Sequence, residues 1–166
     1  EVHASSVGAC VAGLKKVSTL VDVPSDLIQK GQNTLNSLLP AESATKKTDL
    51  ALLSLIYPYN IVTKEQRDLI LRNIETYLVR EKGVLRYIGD HYYNDGKEAE
   101  WCMGFPWLAI IYKNLNKVKY KFYLKKTHEI MNAKGEIPEL YHGVSRKANA
   151  NTPLGWAQAL YLIAIG

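Results

Sequence analysis

The sequence predicts an all-α protein made of antiparallel helical hairpins arranged in two layers. Three observations carry that prediction. Apolar residues recur at helical spacing in seven separate segments. Strongly apolar segments (first, third, fifth, seventh) alternate with more amphipathic ones. The connections alternate too: those near 21–23, 58–62 and 114–117 are short, and those near 39–47, 82–104 and 134–151 are long. Antiparallel hairpins place all the long connections at one end, where the apolar helices begin. Long irregular loops on a helical scaffold are usually functional. Inner buried helices, outer solvated helices and one elaborated face describe a two-layer helical ring or part of one. No repeat of fixed period is visible, which speaks against a helical solenoid.

The elements follow in order. From Val2 to about Leu20 the chain is small and apolar, with Ala4, Val7, Gly8, Cys10, Val11, Ala12 and Leu14, as expected for a helix buried on more than one side. Pro24 suits the first turn of a second helix running to about Leu38, where proline's missing N–H is not needed. Pro40 ends it. A third helix is expected from about Thr48 to Tyr57, with Leu50, Leu53 and Leu55 inward and Pro58 as its stop. Thr63 opens a fourth helix, and Gln66 three residues on can complete a capping box. Ile70, Ile74, Tyr77 and Leu78 form its inner side. The fifth helix starts near Pro106 and is apolar throughout. The sixth, about Val118 to Met131, is more polar, and Gly135 suits its end. The seventh is expected to begin at Thr152-Pro153, a cap residue followed by a proline at the first helical position, and is apolar to its end.

The 166 residues suit a single domain, 1–166, with a real core. An apolar fraction of 47%, with eleven Tyr and three Trp, is a globular composition. The net charge of +5 comes from lysines spread along the chain, apart from a cluster near Lys113 to Lys126, so a nucleic-acid partner is not expected. No apolar run approaches the roughly 20 residues of a membrane span, so no membrane role is expected. Cys10 and Cys102 lie in apolar stretches and read as buried free thiols, which favours a reducing, cytoplasmic compartment. No signal pattern is visible at the start, although the sequence begins at Glu1 without a methionine.

Two long-loop segments carry candidate chemistry. In 135–141, Glu136 and Glu139 flank a proline that stiffens the backbone before Glu139. Glycosidic hydrolysis requires two carboxyl groups, one protonated to donate to the leaving oxygen and one ionised to activate water or attack carbon. The segment from Val84 to Met103 gathers Arg86, Tyr87, Asp90, His91, Tyr92, Tyr93, Glu98, Glu100 and Trp101. Aromatic rings stack on the apolar faces of sugars, and the charged groups bond their hydroxyls. The four histidines and two cysteines show no metal-ligand spacing, so no metal is expected. No nucleophile elbow or phosphate-binding glycine loop is present.

Gly135-Glu-Ile-Pro-Glu-Leu-Tyr141, followed by Asn151-Thr-Pro-Leu-Gly-Trp-Ala157, resembles the end of the catalytic barrel in glycoside hydrolase family 15, the glucoamylase and glucodextranase family. The segment from Gly83 to Tyr93, with Glu100-Trp101 and Phe105-Pro-Trp-Leu-Ala109, resembles that family's Arg-Tyr-x-x-Asp loop and the stretch after it. The resemblance implies an (α/α)6 toroid, a ring of six helical hairpins with the active site at the inner helices' N-terminal ends. It implies Glu139 as general base, and Arg86, Tyr87, Glu100, Trp101 and Tyr141 as substrate-binding residues. Glu1-Val-His-Ala-Ser-Ser6 resembles the tail of the element that carries the general acid, so Glu1 is either that acid or its neighbour.

The implied activity is inverting exo-hydrolysis of α-linked glucose from the non-reducing ends of glucans or gluco-oligosaccharides, with no cofactor. An acid in that reaction needs a pKa raised by burial above the roughly 4.3 of free glutamate. Seven helices are too few for a complete ring, so the chain reads as the C-terminal part of the catalytic domain. Its inner faces should associate with the missing N-terminal part or with another copy. Two alternatives stand beside this reading. One is a non-catalytic, glucan-binding or regulatory relative of the same fold, as in phosphorylase kinase subunits. The other is a helical protein-interaction module.

Overall fold

A computed structural model describes residues 1–166 throughout. It contains seven α-helices and one small two-stranded ribbon, divided between two compact units, Glu1–Thr76 and Tyr77–Gly166.

In the first unit, helix α1 (Ala4–Val17) packs on α2 (Ser25–Leu38) and on α3 (Leu53–Ile56). Close approach to α3 depends on Gly8, where a Cβ would lie 2.1 Å from Cδ2 of buried Leu55. The buried residues of α1 are Ala4, Gly8 and Val11, a single stripe at helical spacing. The expected burial on several sides is therefore corrected, and with it the burial of Cys10, which is exposed on the other side of that stripe. Cys102 is buried as expected. The start of α1 is held by Glu42, itself 2% exposed. The Glu42 carbonyl accepts from Ala4 N–H at 2.7 Å and its carboxylate from Ser5 N–H at 3.1 Å, which serves two of the helix's unpaired donors.

The third segment departs from expectation. Asp49 accepts from Ala51 N–H at 2.8 Å and opens a 3-10 turn, Leu50–Leu52, which runs into the single α-turn of α3. Tyr57, preceding Pro58, is extended, as the proline ring demands of its neighbour. Helix α4 (Lys64–Tyr77) carries the capping box read from the sequence: Gln66 N–H donates to Thr63 Oγ1 at 3.2 Å, and Thr63 N–H to Gln66 Oε1 at 2.9 Å. Ile70 and Ile74 are inward, but Tyr77 is 55% exposed. The helix ends at Tyr77, and Leu78, just beyond it, is buried.

In the second unit, α5 (Gly104–Tyr112) is central, with every residue except Ile110 buried. Helices α6 (Lys117–Glu129) and α7 (Gly155–Ile165) both pack on it. Asn116 caps α6 by accepting from Val118 and Lys119 N–H at 3.0 Å each. The rings of Tyr112 and Tyr123 stack across the α5–α6 seam at 5.8 Å. Helix α7 begins later than expected. Thr152-Pro153 is a cis pair, Leu154 is the cap residue, and the Thr152 hydroxyl donates to the Asn149 carbonyl at 3.1 Å instead of capping. Only Ala157, Leu160 and Ala164 of α7 are buried, while Trp156, Leu162, Ile163 and Ile165 are exposed.

Thr63→Ala removes the side-chain half of the α4 capping box. Urea denaturation should show a loss of about 1 kcal/mol, and an unchanged midpoint would show that the box contributes nothing.

Candidate active site

The site is assembled by a ribbon too short to be read from sequence. Strand β1 (Glu100–Trp101) pairs antiparallel with β2 (Leu140–Tyr141), Glu100 opposite Tyr141 and Trp101 opposite Leu140. Val84 pairs with Trp101 on one side through bonds of 3.0 and 2.9 Å, and Tyr141 bridges to Ala148 on the other. Two long loops are thus sewn together by backbone bonds. Gly83 is required where the strands converge, because a Cβ there would lie 2.7 Å from the Glu100 carbonyl carbon and the Trp101 oxygen.

Successive residues of a strand face opposite ways, and the ribbon sorts the candidate residues accordingly. Trp101 lies on one face with Arg86, whose guanidinium carbon is 4.8 Å from the Trp101 ring, 5.0 Å from Tyr92 and 5.8 Å from Tyr87. Tyr92 stacks on Trp101 at 5.7 Å, and Tyr93 meets Tyr92 edge-on at 4.7 Å. Arg86 is held by a two-pronged ion pair with Asp90, at 2.6 and 2.7 Å, a geometry that fixes the guanidinium plane. Asp90 is 1% exposed. Burial pushes its carboxyl up, but the Arg86 hydrogen bonds, the Tyr92 N–H and the Arg86 charge together outweigh that and hold it below the usual carboxylate value. The Trp101 indole N–H is buried and has no hydrogen-bond partner.

Glu100 and Tyr141 belong to the other face of the ribbon. The Glu100 carboxylate accepts from Lys82 N–H at 2.6 Å and is paired with Arg146. The Tyr141 hydroxyl donates to the Ile130 carbonyl at 3.0 Å, and burial raises its pKa. The structure therefore brings Arg86, Tyr87 and Trp101 together and engages Glu100 and Tyr141 with protein groups behind them.

Glu139 immediately precedes β2. Its backbone is fixed on both sides: Cys102 N–H donates to its carbonyl, and its own N–H to the Asn151 carbonyl, each at 3.0 Å. The side-chain amides of Asn149 and Asn151 both donate to one carboxylate oxygen, Oε2, at 2.6 and 2.7 Å. Oε1 accepts no protein hydrogen bond, which leaves it for a ligand or water. The carboxylate lies close enough to Tyr92 that its charge, after burial, raises the phenol's pKa. Glu139 thus lies near Tyr92, the ring that stacks on Trp101.

Several supports were not singled out in the sequence. Asn149 and Asn151 are one, and the clamp over their loop is another. Asp95 accepts from Val144 and Ser145 N–H at 2.8 and 2.9 Å. Arg146, in left-handed conformation at φ 59°, joins Glu100 to Glu81. Asparagines two apart in an extended segment share a face, which was the one available signal for the Asn149–Asn151 pair.

Glu1 belongs to the first unit. Its carboxylate accepts from Thr45 N–H and Oγ1 at 2.8 Å each, and the backbone bond from Thr45, followed by Ser43 and the Thr45 hydroxyl, lowers its pKa to about 2. That direction is opposite to the one a general acid needs. No group of three His, Cys, Asp or Glu side chains is placed to hold a metal ion, and no helix is long and apolar enough to cross a membrane.

Comparison with known structures bears on this geometry. A wild-type glycosidase superposes on 98% of the chain with a TM-score of 0.77 and 21% identity, and the chain covers 50% of that protein. A variant glycosidase in complex with glucose gives the same values. The fold is glycosidase-like. It is all-α, of the six-hairpin type. No family model matches the chain. A probable phosphorylase b kinase regulatory subunit alpha of Caenorhabditis elegans is 29% identical over 98% of the chain and 18% of the relative. An uncharacterized glycosyl hydrolase of Methanocaldococcus jannaschii is 29% identical over 72% of the chain and 22% of the relative. The skeletal muscle regulatory subunit alpha of Oryctolagus cuniculus is 25% identical over 98% of the chain and 17% of the relative. The chain spans about a fifth of the length of these curated relatives and half that of the solved glycosidases.

A carboxyl with a lowered pKa adds stability above its unfolded value, about 3.9 for Asp, and that stability is lost as pH falls through the folded value. Tryptophan fluorescence should therefore stay flat down to about pH 4 and change below it. In Arg86→Gln the change should begin at higher pH. Coincident profiles would remove the Arg86–Asp90 lock from the account.

Proposed function

We propose that the chain is part of a glucoamylase-like catalytic domain of the glycoside hydrolase family 15 kind, folded as one domain over 1–166, in which Glu139 acts as general base. The observation that carries this reading is the Glu139 carboxylate, oriented by Asn149 and Asn151 through Oε2 and lying near Tyr92, which stacks on Trp101 beside Arg86. Oε1 would take a proton from water as that water attacks the anomeric carbon. Arg86, Tyr87 and Trp101 would line the glucose site. Glu100 and Tyr141 would support it from behind. Inversion requires the acid carboxyl about 6.5–9.5 Å from the base. The depressed pKa of Glu1 favours its being a neighbour of that acid. The substrate would be an α-glucan or gluco-oligosaccharide, the compartment the cytoplasm, and no cofactor takes part.

A second reading has its own support: a glucan-binding, non-catalytic relative. The phosphorylase kinase regulatory subunits match nearly the whole chain, and Glu1, held ionised, is unsuited to donate a proton. The third reading, a helical interaction module, would leave the Glu139 arrangement without a purpose.

Glucose released from maltose, maltotriose, isomaltose and trehalose separates the first two. A working site gives release that falls at least about a hundredfold in Glu139→Gln, the usual contribution of a general base. Binding of maltose without release favours the regulatory reading, and neither binding nor release removes both.

The exposed apolar face of α7 and a groove of about 490 Å³ along α1 and α2, lined by Val7, Cys10, Val11, Leu14 and Leu27, call for cover. We expect association, with the rest of such a domain or with a second copy. Sedimentation velocity should show a dimer or larger species, and a monomer persisting as concentration rises would contradict this.

A further inference from the structure

The lysine cluster lies on α6 and takes no part in the site around Glu139. From Lys113 to His128 the chain has six of its 21 basic residues, all lysines, and neither Asp nor Glu. Some of these lysines are engaged. Lys119 bonds the Tyr112 hydroxyl at 3.2 Å and covers its ring, and Lys126 pairs with Glu129 at 3.2 Å. Lys125 reaches Glu129 only at 3.7 Å. Lys113, Lys117 and Lys121 have no acidic group within ion-pair distance.

Lys117, Lys121 and Lys125 are four residues apart and form one exposed row along the helix. Val118 and Phe122 form the row beside it and are 79% and 49% exposed. The buried side of α6, with Tyr123 and Thr127, is already packed on α5. A second observation is independent of exposure. The first turn of α6 holds lysines and no acid, although the positive end of the helix dipole favours acids there. A local preference set aside in this way is a mark of a functional surface.

We propose that the outer face of α6 docks an acidic amphipathic helix of a partner protein, its carboxylates meeting the lysine row and its apolar side chains meeting Val118 and Phe122. Two parallel rows of different chemistry ask for a partner with the same two rows. A bilayer would gain little, since only two apolar residues of the helix face outward. Nucleic acid fits less well, because the segment has no arginine and Val118 would face phosphates.

The full chain would be titrated with a labelled synthetic helical peptide carrying glutamates at i, i+4 and i+8 and leucines at i+1 and i+5. A scrambled peptide of the same composition, phosphatidylserine vesicles and duplex DNA are the comparisons. The patterned peptide should bind at least about tenfold tighter than the scrambled one, weakening with salt. The triple variant Lys117→Glu, Lys121→Glu, Lys125→Glu should lose at least about tenfold, and Phe122→Ala about fivefold. The triple variant should keep the parent's far-UV circular dichroism, so that lost binding is not lost folding. Equal binding of the two peptides, binding indifferent to the triple variant, or tighter lysine-dependent binding to vesicles or DNA would overturn the proposal.

Discussion

The pairing of Glu100–Trp101 with Leu140–Tyr141 is the constraint on which the second unit's site depends. Two loops about forty residues apart in sequence meet through it and through the adjoining Cys102–Glu139 backbone bond. Once joined, they place Arg86 and Trp101 on one side and Glu139 at the edge, and the Tyr141–Ala148 bridge brings Asn149 back to Glu139. Two residues per strand make a weak ladder, because short two-stranded ribbons are marginal in water. The ribbon is reinforced at both margins, by Gly83 admitting the Val84 strand and by Arg146 pairing with buried Glu100. Removing one partner of such a pair leaves an uncompensated charge, so the ion pair and the ribbon stand together.

That constraint rests in turn on α5. Cys102 N–H bonds the Glu139 carbonyl, and α5 begins two residues later at Gly104. The most buried helix of the unit therefore carries the ribbon at its N-terminal end. Sites built from long loops usually trade precision for adaptability. Here the loops are anchored to the rigid core within a few residues of Trp101 and Glu139.

The helices were largely legible because their apolar residues keep the 3.6-residue period, and the α4 start was legible to the individual bond at Thr63 and Gln66. Chemistry and a family resemblance single out Glu139, Arg86, Tyr87 and Trp101, and the structure places Arg86, Tyr87 and Trp101 together. The ribbon was not legible, since a two-residue strand is too short to show alternation. The holding of Glu139 by Asn149 and Asn151 depends on loop closure by Asp95 and Arg146, a long-range event with no local signature. The exposure of Cys10 was misjudged because an apolar helix with only one neighbour-facing stripe has the same composition as one buried all round. Thr152-Pro153 matches a helix opening in sequence, but the Thr152 hydroxyl bonds the Asn149 carbonyl and α7 starts only at Gly155.

The two carboxylates near Trp101 are held by different kinds of donor. Asp90 is matched by a guanidinium, so that pair is neutral as a unit. Glu139 is matched by amides, which orient a carboxylate without cancelling its charge. The aromatic cluster therefore has beside it one carboxylate whose charge its hydrogen-bond donors leave uncancelled. A ligand seated there would meet a fixed negative charge at Glu139 and a neutral pair at Arg86–Asp90.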